Sequence, residues 1–122
     1  MSKILIVDDD VPILEYMRQV MVSEGYDVMV AATGKEAISC LEKNYYDLLI
    51  TDIRIPDIDG LQIIDAAVVK NVDITILAIS GYSQDFKGHD LLDEAMDLGA
   101  DAVLGKPFSA DEMIRTVKAL LR

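Results

Sequence analysis

The sequence predicts an α/β fold: a doubly wound, five-stranded parallel sheet with helices on both faces, a three-layer sandwich. Three observations predict it. Short apolar runs alternate with helical periodicities along all 122 residues. The runs are continuous, as in strands buried on both faces. Two of them end in carboxylates, Ile4-Leu5-Ile6-Val7 in Asp8-Asp9-Asp10 and Leu48-Leu49-Ile50-Thr51 in Asp52. Strand ends of that kind are where open parallel sheets place their chemistry.

The elements follow in order. Ile4 to Val7 is the first strand. Pro12 sits in the first turn of the next helix, where a missing N–H costs nothing. Ile13, Met17, Val20 and Met21 recur at helical spacing, and Gly25 ends the helix. Val28 to Ala32 is the second strand. Thr33-Gly34-Lys35-Glu36 has the capping-box pattern and opens a helix carrying Ala37, Ile38 and Leu41. Leu48 to Thr51 is the third strand, and Asp59-Gly60 starts a helix through Leu61, Ile64 and Val68. Ile74 to Ile79 is the fourth strand, followed by a polar loop from Gly81 to His89. A short helix marked by Leu91 or Leu92, Ala95 and Met96 closes at Gly99. Ala102 to Leu104 is the fifth strand. Ser109-Ala110-Asp111-Glu112, a second capping box, opens the last helix, with Met113, Val117, Leu120 and Leu121 as its buried stripe. Right-handed crossovers then give the flavodoxin-like order 2-1-3-4-5, in which strands one and three are neighbours at the switch point.

Composition narrows the function classes. A chain of this length, 52% hydrophobic, makes one domain spanning residues 1–122, with no output domain expected. No apolar stretch approaches the ~18 residues of a membrane span, and the N-terminus lacks the pattern of a signal peptide. A single cysteine, Cys40, forbids an internal disulfide and points to a reducing, cytoplasmic setting. The formal net charge of -11 repels phosphate backbones, so direct nucleic-acid binding is not expected. His89, the one histidine, reads as a solvated loop residue.

In the 2-1-3-4-5 order Asp8, Asp9 and Asp52 share one crevice, beside Ser80 from the fourth strand end and Lys106 from the fifth. Converging carboxylates repel, and a hard divalent cation relieves the repulsion. The motifs Ile-Val-Asp-Asp-Asp, Ile-Thr-Asp-Ile-Arg-Ile-Pro-Asp-Ile-Asp-Gly, Ile-Ser-Gly and Gly-Lys-Pro-Phe stand in order at the ends of four strands. Together they resemble the receiver domain of two-component response regulators, over essentially the whole chain.

The resemblance implies a Mg²⁺-dependent phospho-acceptor switch. Asp52 would take a phosphoryl group from a phosphohistidine on a sensor histidine kinase or a histidine phosphotransfer protein. Asp8, Asp9, Asp52 and the backbone carbonyl of Arg54 would hold Mg²⁺. Lys106, the Ser80 hydroxyl and the Gly81 N–H would meet the phosphoryl oxygens. Phosphorylation would shift the surface of the fourth helix, fifth strand and fifth helix. The downstream target and whether phosphorylation dimerises the chain stay open. Asp10 and Asp59 read as helix caps, Asp57 as a turn residue, and Phe108 as packing on the last helix. In the family the Lys106-Pro107 peptide is cis, which sequence does not fix.

The chain departs from the family pattern in places. Ser80 replaces the more usual threonine. Val103 replaces the aromatic residue of the fifth strand, so an aromatic swing cannot carry the signal. The loop Ser83–Asp90 is long, and we expect it, with the following helix, to carry the signal instead. Arg54 and Tyr82 are large residues beside the path of a hydrolytic water, which predicts slow loss of the phosphoryl group. Two other readings fit less well. An aspartate-nucleophile phosphohydrolase would need a second acid where Arg54 stands. A degenerate, non-phosphorylated receiver would normally have lost one of the acids or Lys106. The chain is therefore expected to act as a switch rather than as an enzyme on other substrates.

Overall fold

Apolar runs of four to six residues, each bounded by a turn or a cap, produce the alternation seen in the computed structural model, which describes residues 2–81, 96–97 and 99–122. The order is β1 (Lys3–Val7), α1 (Val11–Ser23), β2 (Asp27–Ala31), α2 (Gly34–Lys43), β3 (Leu48–Asp52), α3 (Gly60–Lys70), β4 (Thr75–Ser80), β5 (Ala102–Gly105) and α4 (Ala110–Leu120). These are four helices among the described residues. The helix expected around Leu91–Met96 falls mostly outside them, although Met96 and Asp97 are helical. The loop Ser83–Asp90, with His89, and Tyr82 also lie outside the described residues.

All strand pairs are parallel and the order is β2-β1-β3-β4-β5, as expected. Strand bounds differ from the expected ones by a residue at most ends. Asp52 and Ser80 are thus the last residues of β3 and β4, because Asp52 pairs with Ile79 and Ser80 with Gly105. The register also pairs Val7 with Thr51, so Asp8 and Asp52 are the next residues along two adjacent strands.

Period-2 alternation divides the core between two faces. Leu5, Val7, Leu49, Ile76 and Ala78 pack with Ala37 and Leu41 of α2 and Ile63, Ile64 and Ala67 of α3. Ile4, Ile6, Leu48, Ile50, Leu77 and Ile79 pack with Leu14, Met17 and Met21 of α1 and Met113 and Val117 of α4. Every central strand is therefore apolar at consecutive positions, and each fully buried Ile or Leu contributes ~1.5–3 kcal/mol.

The helices start where their caps say. Asp10 accepts from the Ile13 N–H (3.4 Å), Thr33 from Glu36 (3.1 Å) and Asp59 from Leu61 (2.9 Å). Ser109 makes the full capping box with Glu112. Phe108 is half-buried against the α1–α4 side of the core, and Val103 against the α2–α3 side.

Candidate functional site

The site lies where β1, β3, β4 and β5 end, on the edge that presents strand carbonyls. Asp8, fully buried, is fixed by two donors. Its Oδ1 accepts from the Asp10 N–H at 2.9 Å, and its Oδ2 from Lys106 Nζ at 2.8 Å. Asp52, 6% exposed, is held the same way: Oδ1 accepts from the Arg54 N–H at 2.9 Å and Oδ2 from Lys106 Nζ at 2.7 Å. One ammonium therefore bridges carboxylates from two strands. Asp9 is exposed beside them, and Asp8, Asp9 and Asp52 each offer an oxygen within 4.8 Å of the others.

Lys106 reaches this position because β5 docks on β4. Its N–H donates to the Ser80 carbonyl at 2.8 Å, and the Lys106-Pro107 peptide is cis. Its side chain passes Gly81, where a Cβ would stand 3.2 Å from Lys106 Cδ. Gly60 shapes the other wall. Its N–H donates to the Ile53 carbonyl at 3.0 Å. A Cβ there would lie 2.5 Å from that oxygen and 2.6 Å from the Asp52 carbonyl. Only glycine lets the start of α3 come this close to the end of β3.

Burial pushes the Asp8 carboxyl above its ordinary value, partly offset by the hydrogen bonds from Lys106 and the Asp10 N–H. Burial alone would lower the Lys106 ammonium, but its hydrogen bonds to Asp52 and Asp8 outweigh that and leave it raised. Lys106 is thus a permanent cation. Three carboxylates around it leave a formal excess of two negative charges in the cluster. Hard anionic oxygens at this spacing, on an edge open to water, fit a divalent cation that keeps several waters.

Of the residues expected at the site, Asp8, Asp9, Asp52 and Lys106 come together, and Arg54 joins them through its backbone. Gly81 and Arg54 line the cleft. Ser80 ends β4 fully buried and contributes its carbonyl to the docking of Lys106. Asp10 and Asp59 line the cleft but serve as caps, as expected.

Two features had no signal in the sequence. Lys106 bonds to Asp8 as well as to Asp52. Asp57, read as a turn residue, accepts hydrogen bonds from the Gly34 N–H at 2.8 Å and the Lys35 N–H at 3.1 Å, at the start of α2. Those donors hold its carboxyl below the ordinary value, Gly34 contributing most.

Known proteins share this fold and resemble this sequence. The family model described as "Response regulator receiver domain" matches residues 4–118. The chain is 34% identical to sporulation initiation phosphotransferase F of Bacillus subtilis, over 98% of this chain and 94% of that protein. It is 36% identical to a transcriptional regulatory protein CpxR homolog of Haemophilus influenzae, and spans about half (51%) of that protein's length. A CheY-like receiver domain from Methanospirillum hungatei superposes with a TM-score of 0.92 at 30% identity, covering 99% of this chain and 94% of that one. The response regulator TrrA of Thermotoga maritima, solved in complex with Mg(2+)-BeF, superposes with a TM-score of 0.85 at 34% identity, covering 99% of this chain and all of that one.

Proposed function

This chain belongs to the response regulator receiver domain family and functions as a phosphorelay receiver, and from that premise we propose that Asp52 is the phosphoryl acceptor of a Mg²⁺-dependent switch. The observation that carries the reading is Lys106 Nζ, 2.7 Å from Asp52 Oδ2 and 2.8 Å from Asp8 Oδ2, with an Asp9 oxygen in reach of both acids.

Asp8, Asp9, Asp52 and the Arg54 carbonyl would hold the cation. When bound, Mg²⁺ supplies positive charge against the phosphoryl oxygens. The chain's own residues do the positioning. The Arg54 N–H and Lys106 fix the rotation of the Asp52 carboxylate, so that one oxygen meets the phosphorus in line. As the O–P bond forms, the P–N bond of the donor phosphohistidine breaks and its electron pair returns to the imidazole. Lys106 then follows the charge from the carboxylate to the phosphoryl group, and the Ser80 hydroxyl and Gly81 N–H donate to its other oxygens. Arg54 lines the cleft next to Asp52 and narrows access for water, which favours a long-lived phosphoryl group.

The chain on this reading catalyses its own phosphorylation and slow dephosphorylation and acts on no other substrate. Its partners are a sensor histidine kinase or histidine phosphotransfer protein upstream and a protein target downstream. The setting is the cytoplasm. Among the described residues no helix is long and apolar enough to cross a membrane, and the net charge of -11 disfavours nucleic acid.

Incubation with acetyl phosphate, with and without Mg²⁺, followed by intact-mass measurement tests the proposal. One phosphoryl adduct that needs the metal and disappears in Asp52→Asn is the expected result. An adduct that persists in Asp52→Asn would move the acceptor elsewhere.

A further inference from the structure

We propose that Asp57 is a positioning residue for the acceptor site: it clasps the loop that follows Asp52 onto α2 and so fixes the Arg54 backbone. The inference rests on the reading of Asp52 and Arg54 given above.

The loop Ile53–Asp59 joins β3 to α3 and is tied at both ends. The Gly60 N–H closes its base on the Ile53 carbonyl, and Asp59 caps α3 through the Leu61 N–H. Neither bond reaches another element. Asp57 does. Each of its oxygens takes one of the N–H groups that a helix leaves unpaired in its first turn, Gly34 at 2.8 Å and Lys35 at 3.1 Å. A carboxylate there also meets the positive end of the helix dipole. Thr33, the local cap, takes the Glu36 N–H, so one carboxylate and one hydroxyl divide the donors between them.

Close packing reinforces the tie. A Cβ on Gly34 would stand 2.5 Å from Ile58 Cβ and 3.2 Å from Asp57 Oδ1. The loop therefore lies directly on the first turn of α2, and glycine is the residue that permits it. Three residues before Asp57, the Arg54 N–H holds Asp52 Oδ1 at 2.9 Å. The same peptide segment carries the carbonyl assigned to the cation. Releasing Asp57 lets this segment move, which loosens the cation's ligand set while Lys106 keeps its bond to Asp52 Oδ2. Asp57 is exposed. Its loss is thus expected to act on the site more than on global stability.

The test compares wild type, Asp57→Ala and Asp57→Asn. Acetyl phosphate labelling is followed against Mg²⁺ concentration, and Mg²⁺ binding is measured separately by calorimetry without a phosphodonor. Losing a group that orients a metal ligand in this way costs about ten-fold in metal affinity. Asp57→Ala should raise the half-maximal Mg²⁺ concentration by about that factor, with a similar rate at saturating metal and a similar thermal midpoint. Asp57→Asn keeps an acceptor oxygen and should restore much of the affinity. Unchanged Mg²⁺ affinity in Asp57→Ala overturns the clasp, as does a lower saturating rate with unchanged Mg²⁺ dependence. If wild type takes no phosphoryl group on Asp52, the acceptor reading fails instead, and calorimetry still decides the clasp.

Discussion

Aspartates stand at both ends of this sheet, and they meet opposite surroundings. At the end where the strands begin, Asp47 Oδ2 accepts from the Lys3 N–H and Asp101 Oδ2 from the Ile76 N–H, both at 2.8 Å. The same two residues complete the lacing through their backbones. Asp47 N–H bonds to the Lys3 carbonyl and Asp101 N–H to the Ile76 carbonyl, both at 2.8 Å. At the end where the strands finish, Asp8 and Asp52 find one turn N–H each, and then each other and Lys106.

Backbone polarity explains the difference. Parallel strands all present spare N–H groups at one end and spare carbonyls at the other. A carboxylate at the first end completes the ladder. At the second it faces oxygens, so it needs a cation or stays frustrated. The lesson is that residue type alone does not mark a functional acid. Its position relative to strand direction does.

The comparison can be broken most severely at Asp52. Asp52→Asn should abolish the phosphoryl adduct, read by intact mass, while the equivalent change at Asp101 should leave labelling at the wild-type level. Labelling lost equally in both would mean that the two ends are not functionally distinct.

Next in size is Lys106→Met. It strands fully buried Asp8 without its cation, and losing one partner of a buried pair costs about 3 kcal/mol. Urea denaturation in metal-free buffer should show that loss, and added Mg²⁺ should recover part of it. A stability equal to wild type without metal would show that the cluster is not frustrated.

Asp101→Ala should cost less, about 1–2 kcal/mol, since it leaves the Ile76 N–H of a buried strand without its side-chain acceptor. This loss should not respond to Mg²⁺. A Mg²⁺-dependent recovery here would erase the contrast between the two ends.

The smallest effect concerns pH. Asp57 is held below its ordinary value of 3.8, so its folded form binds a proton less readily than its unfolded form. The clasp is complete above that ordinary value and is lost as pH falls through the lower folded one. NMR shifts of the Gly34 and Lys35 amides should stay constant from neutral pH down to about 4 and move only in stronger acid. Movement near neutral pH would assign their bonds to another group.

Much of the site was legible because it is written in short-range pattern. Asp8 and Asp52 end continuous apolar runs, and the caps Asp10, Thr33, Asp59 and Ser109 act on N–H groups two or three residues away. Asp57 does sit in a turn, but its tie to α2 was not legible because its donors lie 22 and 23 residues back in the chain. A turn acid with a distant partner looks the same in sequence as one without. Val103 shows the reverse case, since its departure from the family pattern is plain in sequence and its seat on the α2–α3 side of the core is not.

The sequence by itself determined the elements among the described residues, the period-2 burial of each central strand and the acids at the strand ends, because backbone geometry repeats every two or 3.6 residues and needs no distant information. Only the tertiary structure decided that Lys106 would bridge residues 98 and 54 positions away, and that Asp57 would close on α2. Those contacts depend on strand order and on packing between layers. They form only where the register of the sheet and the seating of the helices bring distant groups within hydrogen-bond reach.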